Sequence, residues 1–118
     1  MILVDTSIWV DHLRRRNERL AALLLDGQVL GHPFVVGELA LGHLRRREEI
    51  LELLSELPRA KSASDEEALT FIDRHALAGS GVGWVDVHLL AAAALSRASL
   101  WTLDRRLAAV SSRLSLAG

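Results

Sequence analysis

Short, densely apolar stretches of this chain each run into a carboxylate, and that juxtaposition limits the possible folds more than any other feature. The strings MILVD, PFVVGELALG, GVGWVDVHLLAAAAL and SLWTLD place Asp5, Glu38, Asp86 and Asp104 beside segments that must be buried. An ionised carboxylate is costly to desolvate alone. Four of them at the edges of buried elements therefore imply a shared counter-charge, and a divalent cation is the simplest one.

Met1 to Val4 is a continuous apolar run, as expected of a strand buried on both faces of a parallel sheet, and Leu100 to Leu103 has the same character. Asp5 and Asp104 end these two runs. Carboxyl ends of parallel strands are where open α/β sheets place their ligand sites. Asp5, Thr6 and Ser7 are good N-cap types, so a helix is predicted to start there and to reach the arginine triplet Arg14-Arg15-Arg16. Arg19 to Leu25 reads as a second helix ended by Asp26-Gly27, and Val29 to Gly31 as a brief strand. Pro33 suits a first helical position. A helix over Phe34 to Leu44 would put Glu38 and Gly42 on one face.

Further along, Arg46 to Leu57 is amphipathic and stops at Pro58. Arg59 to Ser64 is ambiguous. Asp65-Glu66-Glu67 opens a helix running toward Gly79 with Leu69, Ile72 and Ala76 on one stripe. Trp84 to Ala98 is almost continuously apolar, as for a helix packed on most of its circumference, with Asp86 in its first turn. Strands alternating with helices predict a three-layer α/β/α domain around a short parallel sheet. At 118 residues and 50% hydrophobic content, one domain over 1–118 is expected.

Composition removes several classes of function. There are no cysteines, which excludes disulfides, thiolate metal sites and cysteine nucleophiles and fits a cytoplasmic setting. No apolar stretch reaches the roughly 18 residues of a membrane span, so no membrane association is expected. Glycines 79, 81 and 83 are not followed by GK[ST], and the lone lysine is Lys61, which excludes a P-loop. Net charge is only −1, yet 13 of the 14 basic residues are arginine. They cluster, which makes Arg14, Arg15, Arg45, Arg46, Arg105 and Arg106 candidates for phosphate recognition; the alternative is solvated helix ends. The apolar excess and three tryptophans (Trp9, Trp84, Trp101) point to oligomerisation, the rings belonging to core or dimer interface rather than stacking on bases. The five histidines form no metal-binding pair and are read as structural or surface groups.

Oxygen ligands without thiolates favour magnesium or manganese. Such ions lower the pKa of water and neutralise a leaving oxygen, the chemistry of a nuclease. Other acids have plainer roles: Asp11 faces Arg14 and Arg15, Asp26 sits in a turn, and Asp73 lies off its helix's apolar stripe. An aspartyl-phosphate enzyme would want a second aspartate where Ser7 stands, and a receiver domain a late lysine that is absent.

Taken in order, ILVDTSIW, VVGELALG, WVDVHLLAAAA and LWTLDRRL resemble the four signature blocks of PIN-domain endoribonucleases, most closely the VapC toxins of bacterial and archaeal toxin-antitoxin pairs. The resemblance spans essentially the whole chain. It implies metal-binding positions at Asp5, Glu38, Asp86 and Asp104, with Thr6 or Ser7 and Thr102 as supporting hydroxyls. It also implies Mg²⁺ (or Mn²⁺) dependent cleavage of RNA, usually tRNA or rRNA, by metal-activated water, a homodimer, and a cognate antitoxin that inserts into or near the acidic groove. The competing expectation is a catalytically silent module of the same fold that binds RNA or a protein through its arginines.

Overall fold

A computed structural model describes residues 1–118. Three parallel strands, β1 (Ile2–Val4), β2 (Val29–Leu30) and β3 (Ser99–Trp101), lie in the order β2-β1-β3. Leu3 pairs with Leu30 on one side and Leu100 on the other, and Val4 with Trp101. The apolar run at the amino terminus is therefore the central strand. Leu3 and Val4 are fully buried, so the carboxylate that follows them is carried to the middle of the sheet's carboxyl edge. Single bridges from Gly31 to Arg59 and from Leu100 to Ala117 widen the sheet slightly at both edges.

Seven helices surround it: α1 (Thr6–Arg15), α2 (Glu18–Leu25), α3 (Pro33–Ala40), α4 (Arg47–Glu56), α5 (Asp65–Arg74), α6 (Trp84–Leu95) and α7 (Arg105–Arg113). Helix α6 packs against β1 and β3 with α5 on its outer side, while α1 packs against α2 and α3, and α3 against α4. Every residue from Val87 to Ala93 is buried, as its unbroken apolar sequence requires. This is the expected α/β/α arrangement. No helix is long and apolar enough to cross a membrane.

Several element ends differ from the sequence expectation, each for a local reason. Helix α3 stops at Ala40 rather than Leu44, because the Arg47 guanidinium donates to the Ala40 carbonyl (2.6 Å) and satisfies a helix-end acceptor. Gly42 thus lies in the following turn and does not share a helical face with Glu38. Helix α6 ends at Leu95 rather than Ala98: Arg97 takes φ +52° and the Ala98 amide reaches back to the Ala93 carbonyl, a Schellman closure without glycine. Helix α5 ends at Arg74, with Ala76 at φ +51°, and its buried face is centred on Ala68; Leu69 is 56% exposed and off that face. Strand β3 ends at Trp101, so Asp104 is separated from it by Thr102 and Leu103 instead of terminating it directly.

Of the five histidines read as structural or surface groups, His32 and His88 are buried. His32 is the N-cap of α3, its Nδ1 accepting from the Phe34 amide (3.0 Å), while the Nε2 atoms of His32 and His88 have no hydrogen-bond partner. Burial, with smaller contributions from His88 and Arg59, pushes the His32 pKa down to about 4. A histidine kept neutral in the fold stabilises it fully above the unfolded pKa near 6.5, and that contribution is lost as pH falls toward 4. Acidification from pH 7 to pH 5 should cost roughly 1–2 kcal/mol at this position. Thermal melts of wild type and His32→Asn, which retains a capping acceptor, should show a smaller acid-induced drop in the variant; equal drops would assign the effect elsewhere.

Candidate metal centre

Three of the four acids stand at helix N-termini. Asp5 is the N-cap of α1, Asp104 the N-cap of α7, and Asp86 the third residue of α6, where it accepts from the Gly83 amide (3.0 Å). Each position offers unpaired N–H groups and the positive end of a helix dipole. Those partial charges let like-charged groups sit at one end of the sheet. Glu38 projects from the second turn of α3 and is exposed, whereas Asp5 is only 8% exposed.

Hydroxyl groups join three of the acids. The Thr6 amide donates to Asp5 Oδ1 (2.8 Å) and its hydroxyl to Glu38 Oε1 (2.7 Å), so one residue links β1's end to α3. Ser7 Oγ (3.0 Å) and Thr102 Oγ1 (2.7 Å) both donate to Asp5 Oδ2. Each hydroxyl has one proton, and both are used here; the 3.3 Å approach of Ser7 to Thr102 is therefore a contact between two acceptors. Those oxygens in turn accept the amides of Leu103 and Asp104, both at 3.0 Å. Sequence pointed to Thr6 or Ser7; the structure uses both, for different carboxylates. Asp104 Oδ1 accepts from the Leu107 amide (2.9 Å).

Asp86 has no direct link to the others but lies in their field. Its pKa is raised, first by burial and then by Asp5, Asp104 and Glu38, with the Gly83 amide opposing. The ion pairs of the molecule involve Asp11, Glu18 and Asp65, so no protein cation neutralises any of these four acids. One oxygen each of Glu38, Asp86 and Asp104 receives no protein donor. As the side chains stand, no three acids or histidines are gathered tightly enough to ligate one ion. The donor chemistry fits a hard divalent cation, whose charge would draw the free oxygens together. In the loop before α6, Gly81, at φ +88°, lies against Arg106, and a Cβ there would meet the arginine's Cδ and Nη1 at 2.9 Å.

The basic candidates divide. Arg15 is held by Asp11 (2.7 Å), and Arg16 by Glu18 (3.0 Å). Arg14 and Arg45 line a cavity of about 530 Å³ that also includes Thr6, Glu38 and His43. His43 was not singled out from sequence, having no metal-type spacing to betray it. Arg46 is the left-handed N-cap of α4, and Arg105 and Arg106 open α7 beside Asp104. Trp9 is core, Trp101 is half-buried beneath the Arg19 guanidinium (4.2 Å), and Trp84 is 42% exposed.

Burial of Asp86 among other acids has a measurable consequence. An acid whose pKa is raised by folding stabilises the fold below its unfolded pKa and loses that contribution as pH rises. In metal-free buffer at pH 7, Asp86→Asn should therefore melt above wild type, and the gain should vanish near pH 3. A Tm at or below wild type at pH 7 would contradict a cost from burial and neighbouring charge. Thr102→Val removes a donor to Asp5 and should weaken divalent-ion affinity about 10- to 100-fold with little change in helix content, read by calorimetric titration and circular dichroism.

Comparison with known proteins identifies the family. The family model described as PIN domain matches residues 2–112. Two curated relatives, both named Ribonuclease VapC32, from the CDC 1551 / Oshkosh and ATCC 25618 / H37Rv strains of Mycobacterium tuberculosis, are each 46% identical over 110 residues, covering 92% of this chain and 89% of the relative.

Proposed function

Because the chain belongs to the PIN-domain family, we propose that it is a magnesium-dependent endoribonuclease, the toxin of a toxin-antitoxin pair, which adds water across phosphodiesters of tRNA or rRNA. The observation that carries this reading is a set of four electrostatically coupled carboxylates without a protein counter-ion. Asp5, Glu38, Asp86 and Asp104 would hold the ion. A divalent cation bound there supplies the positive charge that lowers the pKa of water and neutralises the leaving oxygen.

The chain's own groups have separable tasks in this scheme. Thr6, Ser7 and Thr102 fix the rotamers of Asp5 and Glu38 through donated protons, as supporting contacts to metal-binding carboxylates do. One oxygen each of Glu38, Asp86 and Asp104 is left without a protein donor and is available to the ion. Unpaired arginines near these acids supply attraction for the RNA backbone. A cognate antitoxin that presents an arginine to the acids would compete with the cation directly, and exposed apolar side chains such as Leu41 (91%) and Leu25 (87%) leave surface for a homodimer or the antitoxin to cover.

The decisive measurement is cleavage of a defined tRNA and rRNA set by the purified chain, with magnesium and with chelator. Wild type should cleave only with the ion, and both Asp5→Asn and Asp104→Asn should lose activity while keeping the wild-type circular dichroism spectrum. Equal cleavage by all three proteins would identify a contaminant and sink the assignment. Retained RNA binding without any metal-dependent cleavage would favour a silent module of the same fold.

A further inference from the structure

Neither Arg14 nor Arg45 donates a hydrogen bond to any protein acceptor; the arginines that do are Arg15, Arg16, Arg19, Arg47 and Arg113. Arg14 and Arg45 come from separate elements, the last turn of α1 and the turn between α3 and α4. They nevertheless line the same cavity, with His43 from that turn and with Thr6 and Glu38, which belong to the acidic site, at its other end. At about 530 Å³ the cavity is within the range of a few hundred to roughly 1,000 Å³ typical of sites for small ligands. Val10, Leu13 and Leu39 provide its apolar wall.

The turn carrying Arg45 is held in place. Arg47 ties it to the end of α3 through the Ala40 carbonyl (2.6 Å), and Arg46 closes it in a left-handed conformation, φ +53° and ψ +46°. A non-glycine residue in that region is uncommon, and here it re-aims the chain between two helices. Arg47 is thus spent on holding the turn, while Arg45, which lines the cavity, is left unpaired. In the first triplet Arg15 and Arg16 are committed to Asp11 and Glu18 and Arg14 is not.

We infer that this cavity is a backbone subsite for single-stranded RNA, in which Arg14 and Arg45 grip a phosphate flanking the scissile one and lead the strand past Glu38 into the acidic site. The inference rests on the nuclease reading above. Its physical basis is charge order. An RNA strand approaching four carboxylates is repelled unless cations hold its neighbouring phosphates, and guanidinium forks suit phosphate oxygens. A cleft with paired cations at one end and an acidic group at the other gives the strand a direction. Arg14 and Arg45 are positioning residues, and removing them should weaken binding more than it slows the bound reaction.

The test uses the full-length chain in the cleavage-deficient Asp104→Asn background, with magnesium and a short fluorescent single-stranded RNA of mixed sequence. Affinity is measured as a function of salt. Each neutralised single-strand phosphate contributes about 0.7 to the slope of log K against log salt, so Arg14→Gln with Arg45→Gln, which releases one phosphate, should reduce the slope by about 0.7 and weaken low-salt binding roughly tenfold. Arg16→Gln, two residues from Arg14 in the same triplet, should leave the slope unchanged. In the active chain the double variant should raise KM with kcat nearly intact. RNA binding with an unaltered slope in the double variant, or an equal loss in Arg16→Gln, overturns the subsite while leaving the nuclease reading in place. Absence of cleavage by wild type sinks both. If the double variant keeps its RNA slope but loses affinity for the cognate antitoxin, the cleft is a protein-docking site and the inference is wrong.

Discussion

The lack of any protein counter-charge at Asp5, Glu38, Asp86 and Asp104 is the constraint around which the rest of this structure is arranged. No arginine, lysine or histidine pairs with any of them. What holds them in the folded chain is a set of neutral donors: three helix N-termini, three hydroxyls and several backbone amides. Neutral donors orient carboxylates without cancelling their charge. A protein cation in the same place would stabilise the fold more and leave nothing for an external ion to neutralise. Burial of Asp86 beside the other three shows that the chain tolerates a local cost here, as functional sites commonly do.

The apolar sequence is what brings these groups to one end. Leu3, Val4 and Leu100 are buried in paired strands, so the residues that follow them must emerge at the same edge. Helix α6, packed against both strands, carries Asp86 to that edge from below its first turn, and α3 brings Glu38 by way of its packing on α1. Thr6 then closes the geometry, its amide and its hydroxyl serving two different carboxylates. The core thus determines where the acids lie, and the hydroxyls determine how they point.

Much of this was legible in the sequence because burial and capping leave clear signs. The MILV run, the Asp-Thr-Ser start of α1 and the Ala/Leu-rich α6 identified a parallel α/β fold and the four carboxylates together. Helix ends were less legible. Arg16, Arg46, Ala76 and Arg97 all adopt positive φ, where glycine or asparagine is the usual signal, so the closures at these points carried no sequence mark. Long-range hydroxyl contacts, such as Thr102 with Asp5, are invisible to local patterning; only the family resemblance drew attention to Thr102. The same holds for the arginines. Three similar clusters gave no hint that Arg15, Arg16 and Arg47 are tied to neighbours while Arg14 and Arg45 are free.

Gly81 carries no functional group, yet it lets the Arg106 stem lie flat against the loop that launches α6. Because Arg106 belongs to the helix capped by Asp104, a side chain at position 81 would have to push that guanidinium aside. Drift at that position in a lineage would look like harmless loop variation while moving a cation that stands two residues from one of the acids.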